Sequence, residues 1–160
     1  LDMSELQTVS RDETIAVDAL VDEVLVDLEP LAQEKKIKLI GNCKDTTMVG
    51  SDILIYRMVY NLVENAIKYN HFGGQVTVTA YRKGKNICLS VEDTGSGIPA
   101  ELKERIFEPF FRVDKSRSRQ LGGVGLGLAL VHEIVRVHDG RITVQSSPSG
   151  GTIFEVVFTQ

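Results

Sequence analysis

The stretch Asn61-Leu62-Val63-Glu64-Asn65-Ala66-Ile67-Lys68-Tyr69 carries two carboxamides and a lysine at helical spacing. In a helix, Asn61, Asn65, Lys68 and Tyr69 lie on one side, whereas Leu62, Ala66 and Ile67 face elsewhere. A buried carboxamide without a partner costs about 1–3 kcal/mol. This polar side is therefore expected to form a structural hydrogen-bond network, or to bind Mg²⁺ through amide oxygens and phosphate through Lys68.

The flanking sequence predicts a mixed α/β domain around this helix. Ser51 and Asp52 have the side chains of a helix start, and apolar periodicity continues to about Tyr69. Other patterns predict helices over 18–36 and 124–137, strands over 37–43 and 46–50, and hairpins over 75–92 and 141–158. Helices and mostly antiparallel strands in this order indicate a two-layer α/β sandwich. We expect the first eight residues to be the tail of a helix that begins upstream.

Residues 94–123 interrupt this regular pattern. They contain glycines and a short helical piece near residues 101–106, and residues 103–119 carry six basic but only three acidic side chains. A long irregular segment inside a compact domain is usually functional or disordered. Its basic stretch is expected to be either a solvated surface or a seat for an anionic ligand.

The composition is that of an ordinary globular domain. The 160 residues have a net charge of −4 and a pI near 5.4, which favours one domain that does not bind nucleic acid. Cys43 and Cys88 lack metal-ligand or C-x-x-C spacing and are expected to be buried, reduced thiols. The sequence has no signal peptide and no apolar run of about 20 residues. Because it begins at Leu1 rather than at Met, we expect a piece of a longer protein.

Two glycine-rich stretches add features of a nucleotide site. Asp93 ends a predicted strand before Gly95 and Gly97, so its carboxylate can accept a hydrogen bond from a ligand amine beside bare backbone. Residues 122–128 contain four glycines before a helix, where free N–H groups favour an anion. Residues 93–100 also match short patterns of an aspartic protease and of a dinucleotide-binding turn. The many helices oppose the first, and the polarity of residues 111–118 opposes the second.

Five motifs occur in the order typical of sensor histidine kinases. Residues 61–69 resemble the N box, and Asp93-Thr94-Gly95-Ser96-Gly97-Ile98-Pro99 resembles the G1 box. Residues 107–112 resemble the F box, residues 123–128 the G2 box, and Gly150-Gly151-Thr152-Ile153-Phe154 the closing GGTxF motif. The resemblance implies a Bergerat-type ATP-binding domain of the GHKL superfamily over residues 11–160. Residues 1–10 would then remain from an upstream dimerisation helix.

The resemblance also implies which residues bind the base. Asp93 would hydrogen-bond the adenine amine, and Tyr69 would lie against the ring. Ile98 and Leu126 would line an apolar slot. Further ATP-binding positions implied by the same motifs are Gly95, Gly97, Gly123, Gly125, Gly127, Leu128 and Thr152.

Other implied roles concern the phosphates. Asn65 would hold Mg²⁺ with Asn61 nearby, and Lys68 would neutralise phosphate charge. Arg112 would approach the γ-phosphate, with Arg117 a second candidate.

Residues 100–122 would form a mobile ATP lid, which Phe107, Phe110 and Phe111 would hold in place. Two departures from the family pattern, Asn70-His71-Phe72 and Val124, lie near the expected pocket rim and would alter lid ordering or affinity.

Asn61 favours a kinase over an ATPase. Related ATPases such as DNA gyrase and MutL have a Glu at the first N-box position to activate water, and this chain has Asn61 there. The γ-phosphoryl group would be kept for another acceptor, because its transfer needs positioning and charge neutralisation more than covalent help. Asn61, Lys68 and Arg112 are the expected catalytic residues. Glu64, about 100° around the helix from Asn65, is a second-tier candidate.

The phosphoacceptor is expected outside this chain. His71, His132 and His138 lack the context of the family's H box, and His138 is expected to have a capping or cationic role at a helix end. The acceptor would lie on the parent's dimerisation domain, with relay to an aspartate of a response regulator. The parent would be a homodimer anchored in the inner membrane, with this domain cytoplasmic and monomeric when isolated.

Two alternative functions stay open for this chain. One is a nucleotide-sensing or interaction module without turnover, and the other is a serine kinase of the anti-sigma-factor type.

Overall fold

The computed structural model describes residues 3–109 and 127–160. Its three α-helices are α1 (Val17–Glu34), α2 (Asp52–Lys68) and α3 (Gly127–Val137). Its strands are β1 (Glu13–Ala16), β2 (Lys38–Cys43), β3 (Thr47–Gly50), β4 (Gln75–Lys83), β5 (Asn86–Asp93), β6 (Arg141–Ser146) and β7 (Thr152–Thr159). Short 3₁₀ helices cover Met3–Thr8 and Ala100–Leu102. No helix among these residues has the length and apolar character needed to cross a membrane.

The main sheet has five strands in the order β2-β4-β5-β7-β6. Only the β2–β4 pair is parallel, and the other three pairs are antiparallel. The β1 and β3 strands form a separate antiparallel ribbon. The predicted α/β sandwich with a mixed, mostly antiparallel sheet packed on helices is therefore confirmed.

One face of this sheet packs against the helices. Val78, Val91 and Phe154 are paired neighbours on β4, β5 and β7, and all three side chains are buried. The α2 helix contacts β4 and β5 as well as α1 and α3, so it is the central helix of the second layer. Each fully buried aliphatic or aromatic side chain contributes about 1.5–3 kcal/mol. This packing fixes α2 relative to the end of β5, where Asp93 lies.

Several sequence predictions needed correction at the level of single elements. The strand Glu13–Ala16 was not expected. The predicted helical piece over 101–106 is only a 3₁₀ turn over Ala100–Leu102, and the N-terminal segment is 3₁₀ rather than α-helical. Leu6 in that segment is fully buried and joins the core. Cys88 is buried as predicted, whereas Cys43 is only half-buried, and both are free thiols.

The N-terminus of α2 depends on Ser51 and His138. The Ser51 hydroxyl accepts the Leu54 N–H at 3.3 Å, which confirms the predicted N-cap. His138 Nε2 accepts the Ser51 N–H at 3.0 Å, and Nδ1 lies 2.8 Å from the Ile134 carbonyl oxygen. These two bonds require a neutral ring with its proton on Nδ1. Burial also lowers the pKa of His138, so the expected cationic role was wrong. The expected capping role is confirmed, because Nδ1 bonds the Ile134 carbonyl near the end of α3.

The half-buried, neutral ring of His138 predicts a loss of stability in mild acid. The unfolded histidine binds a proton near pH 6.5, whereas the folded one does so only at lower pH. Above about pH 6.5, the pKa of the unfolded histidine, His138 therefore contributes its full stabilisation. It loses this stabilisation as the pH falls towards the lowered pKa of the folded state. In urea unfolding at pH 7.5 and 5.5, His138→Gln should lose less stability on acidification than the wild type. The exposed His71→Gln control should behave as the wild type, and an unchanged pH dependence in His138→Gln would contradict the assignment.

Candidate nucleotide-binding site

The polar side of α2 has the predicted geometry. Asn61, Asn65, Lys68 and Tyr69 are all half-buried, whereas the apolar residues between them are buried in the core. Asn61 Nδ2 donates a long hydrogen bond of 3.5 Å to the Gly127 carbonyl oxygen at the start of α3. The N-box helix and the first residue of α3 therefore border the same site.

Asn65 and Lys68 differ in their surroundings. Within residues 3–109 and 127–160, no hydrogen bond engages the Asn65 carboxamide, so its oxygen is available to a ligand. Lys68 Nζ lies 3.9 Å from Glu64 Oε1, one helical turn away, and both side chains are partly exposed. An exposed pair of this kind contributes about 0–1 kcal/mol, so a phosphate group can compete for Lys68.

Asp93 is a buried carboxylate at the end of β5. Its side chain is only 7% exposed, and Oδ1 accepts the Gly95 N–H at 2.8 Å and the Thr152 N–H at 3.2 Å. Burial raises the pKa of the Asp93 carboxyl, and these two hydrogen bonds counteract part of that shift. Both backbone donors are directed to Oδ1, which leaves Oδ2 for a further donor.

Close backbone approaches explain two of the glycines around Asp93. A Cβ atom at Gly95 would lie 2.5 Å from the Tyr69 carbonyl oxygen, and one at Gly151 would lie 2.0 Å from the Asp93 carbonyl oxygen. Real Cβ atoms essentially never approach other atoms this closely. The G1 loop (residues 94–99) therefore lies in close backbone contact with the end of α2. The start of β7 lies in similar contact with Asp93, so all three segments surround the Asp93 carboxylate.

The remaining predicted residues among those described lie around the same loop. Gly97 has a φ of +78°, and a Cβ atom there would lie 2.6 Å from the Gly150 carbonyl oxygen. Ile98 and Leu128 are half-buried and pack against the core, and Thr152 is buried. Gly127 is exposed at the start of α3.

Part of the predicted site falls on residues outside the described ranges. Arg112, Arg117, Gly123, Gly125, Leu126, Val124, Phe110 and Phe111 belong to this group, as does most of the expected ATP lid. Phe107 is described and half-buried. Its ring lies 5.4 Å from the His132 ring and 6.2 Å, edge to face, from that of Phe154.

A buried hydrogen-bond network surrounds Asn70, and the sequence did not predict it. Asn70 is 1% exposed. Its Oδ1 accepts the His71 N–H and the Thr94 hydroxyl, and its Nδ2 donates to the Gln75 carbonyl. The carboxamide thus ties the end of α2 to Thr94, between Asp93 and Gly95. The departure of Asn70 from the family pattern was the one sign in the sequence that this position is unusual. From it we expected an effect on the pocket rim, but not these hydrogen bonds.

Lys35 provides a second connection to the end of α2. Its ammonium group donates to the carbonyl oxygens of Lys68 and Asn70 at 2.9 and 2.8 Å, and to that of Ile67 at 3.3 Å. These carbonyls lie at the C-terminus of a helix, where a cation is favourable. Lys35 therefore orders the turn that carries Lys68 and Tyr69.

The donor set for a metal consists of amide oxygen rather than a cluster of anionic ligands. Among the described residues, no group of three or more His, Cys, Asp or Glu side chains could hold an ion. Mg²⁺ commonly keeps several waters and binds through few protein ligands together with substrate phosphates. The available Asn65 oxygen fits that manner of binding.

Comparison with known proteins agrees with this arrangement. Residues 50–160 match the family described as "Histidine kinase-, DNA gyrase B-, and HSP90-like ATPase". The chain belongs to this family. Within it, the chain is a histidine kinase catalytic domain of the GHKL superfamily, as the following relatives indicate.

Sequence and structural relatives are histidine kinases. SenX3, a sensor-like histidine kinase of Mycobacterium tuberculosis, is 39% identical over 158 residues, which are 96% of this chain but 38% of SenX3. The catalytic domain of histidine kinase ThkA superposes with a TM-score of 0.83 and 27% identity, covering 94% of this chain and 96% of that domain. Full-length ShkA in complex with AMPPNP gives a TM-score of 0.84 at 25% identity, covering 98% of this chain and 33% of ShkA. The chain thus matches one domain of longer kinases.

Lys35→Met should lower the thermodynamic stability of this histidine kinase domain. The substitution keeps an unbranched side chain of similar length but removes the hydrogen bonds to the α2 carbonyls. Hydrogen bonds from a charged group contribute about 1.5–3 kcal/mol, so the free energy of unfolding should fall by about that amount. Urea unfolding followed by circular dichroism measures the change.

The matched control is Lys38→Met, because Lys38 is exposed on β2. It should change stability by no more than about 0.5 kcal/mol. Equal effects of the two substitutions would show that Lys35 does not stabilise the end of α2.

Proposed function

We propose that this domain binds Mg-ATP and transfers the γ-phosphoryl group to a histidine on the dimerisation domain of a longer sensor kinase. The group would then pass to an aspartate of a response regulator. The observation that carries this proposal is Asp93, a buried carboxylate with two backbone donors on one oxygen and the polar side of α2 next to it. ShkA, a related histidine kinase, has a structure with AMPPNP, which supports a nucleotide as ligand.

The adenine would be recognised at Asp93. Its Oδ1 is already engaged by Gly95 and Thr152, so Oδ2 is the atom that would accept the exocyclic amine. The two backbone hydrogen bonds hold the carboxylate in one orientation, which reduces the ordering cost of binding. Tyr69, Ile98 and Leu126 would provide apolar contacts to the base.

The phosphates would lie along the polar side of α2. Asn65 would hold Mg²⁺ through its carboxamide oxygen, with Asn61 beside it, and the ion would neutralise phosphate charge. Lys68 would exchange its contact with Glu64 for phosphate oxygens. Arg112 would approach the γ-phosphate from the lid, with Thr152 and the glycines of the G1 and G2 boxes completing the site.

A phosphoryl acceptor other than water is favoured by the groups on α2. Asn61 cannot act as a general base, and Glu64 lies beside Lys68. Water activation thus lacks the carboxylate that the related ATPases use. We infer that bound ATP is hydrolysed slowly and that its γ-phosphoryl group is available for transfer.

The acceptor histidine is proposed to lie outside this chain. His138 uses both ring nitrogens in hydrogen bonds within the fold, whereas His71 and His132 are exposed without an adjacent H-box sequence. Residues 1–10 are proposed to continue from the dimerisation helix into the catalytic domain of residues 11–160. The structure of ThkA in complex with the response regulator TrrA supports a receiver domain as the next partner.

The names of the relatives support a proposal for the location of the parent protein. Because these relatives are sensor kinases, we propose a homodimeric parent anchored in the inner membrane, with this domain in the cytoplasm. The isolated domain would be monomeric and would not bind nucleic acid.

Asp93→Asn tests adenine recognition. Asparagine can still offer its oxygen to Gly95 and Thr152, but its amide group then meets the adenine amine donor to donor. ADP affinity measured by calorimetry should fall by about 100-fold, which corresponds to roughly 2.7 kcal/mol. Thermal unfolding should stay cooperative, because the substitution removes a buried charge.

Asp45→Asn is the matched control, because Asp45 is exposed in the turn between β2 and β3. It should bind ADP as the wild type does. Wild-type affinity in Asp93→Asn would sink the adenine assignment.

Phosphotransfer tests the reaction. The domain with labelled ATP and Mg²⁺ should not label itself, but it should label the separately purified dimerisation domain of its parent. The product should be acid-labile, as expected for phosphohistidine. ATP binding without any transfer would favour the nucleotide-sensing module, and acid-stable label on a serine would favour the anti-sigma-factor type of kinase.

A further inference from the structure

The turn between β6 and β7 is held together by Ser147. Its N–H donates to the Gly151 carbonyl oxygen at 3.0 Å, and its carbonyl oxygen accepts the Gly150 N–H at 2.9 Å. Gly150 has a φ of +92°, a conformation that L-residues rarely adopt. These bonds set the path of the chain from Ser147 to Thr152.

This turn contacts the G1 loop at three points. Thr152 donates its N–H to Asp93 Oδ1, and Gly151 lies against the Asp93 backbone. The Gly150 carbonyl oxygen lies against Gly97. A displacement of the turn would therefore move a donor directly away from the carboxylate proposed to read the base.

Strand pairing alone does not fix the contacts of Gly150 and Gly151. The ladder between β5 and β7 ends at the Glu92–Ile153 pair, and the ladder between β6 and β7 ends at Ser146–Thr152. Gly150 and Gly151 lie beyond both ladders. A side-chain bond connects this region to β5 instead: the Ser147 hydroxyl donates to Glu92 Oε2 at 2.5 Å.

The environment makes that bond strong and directional. Ser147 is only 5% exposed, and its acceptor is a carboxylate, so the bond is charge-assisted. Ser147 Oγ also lies 3.1 Å from Ser149 Oγ and 3.4 Å from the Ser149 N–H, which it accepts. Glu92 is the residue before Asp93 and projects from the opposite face of β5.

We propose that Ser147 is a positioning residue for adenine recognition. Its hydrogen bond to Glu92 joins the β6–β7 turn to the strand that carries Asp93, and so keeps the Thr152 N–H on Asp93 Oδ1. Oδ2 is thereby directed at the exocyclic amine. This role rests on the proposed binding of adenine by Asp93 and adds a determinant of base specificity to it.

Ser147→Ala tests the proposal with two nucleotides. ADP carries the exocyclic amine, and purine riboside 5′-diphosphate lacks it. Calorimetry should show a loss of about 5- to 10-fold in ADP affinity and a change of less than about 2-fold for the purine riboside nucleotide. A general loosening of the fold would instead weaken both nucleotides equally, and that result would overturn the proposal.

Variants of the neighbouring residues complete the test. Ser146→Ala removes an exposed hydroxyl that contacts Lys103 rather than Glu92, and it should leave both affinities unchanged. Glu92→Ala should reproduce the selective loss of ADP affinity, and the double variant with Ser147→Ala should be no weaker than either single variant. Glu92→Gln retains an acceptor oxygen but loses its charge, so its loss of ADP affinity should be smaller than that of Glu92→Ala. Additive effects of Glu92→Ala and Ser147→Ala would contradict a shared bond.

The outcomes separate this inference from the proposed function. If Asp93→Asn binds ADP as the wild type does, the adenine site itself is wrong. If Asp93→Asn loses affinity but Ser147→Ala and Glu92→Ala do not, only the positioning role fails. If Ser147→Ala does not fold, Glu92→Ala removes the same bond from the other side and gives the same decision.

Discussion

The site depends on one carboxyl group that backbone donors hold in a buried position. Asp93 is largely removed from water, and burial raises its pKa. The N–H groups of Gly95 and Thr152 provide much of what water would otherwise supply. Because these donors belong to the G1 loop and to β7, the fold must bring both to Asp93 before the carboxylate can serve a ligand.

This requirement explains why backbone contacts surround the site. Gly95 meets the end of α2 and Gly151 meets Asp93 at distances that exclude a side chain. Lys35 and Asn70 order the α2 end, and Ser147 ties the turn before β7 to β5. Residues that would touch the nucleotide are thus supported by polar groups that would not, which is the arrangement that precise binding needs.

Sequence periodicity was sufficient for most of the fold but not for these supports. Helices α1 and α2, the two hairpins and the Ser51 cap follow from local patterns within about 20 residues. The strand Glu13–Ala16 was missed because only Ile15 among its four residues is buried, so the strand has no alternating pattern. The Asn70–Thr94 and Ser147–Glu92 bonds join residues 24 and 55 positions apart, and only tertiary packing brings such pairs together. The motifs single out Asp93 and the glycines in the sequence. Why a glycine is needed at a given position becomes clear only from the atoms that surround it in the fold.

Asp93 is proposed to bind the adenine amine, with the polar side of α2 facing the phosphates. A crystal structure of this chain with AMPPNP and Mg²⁺ would show both contacts. We expect the exocyclic nitrogen to lie about 2.7–3.2 Å from Asp93 Oδ2, with Oδ1 still accepting from Gly95 and Thr152. A nucleotide whose base lies away from Asp93, or whose amine faces another group, would contradict it.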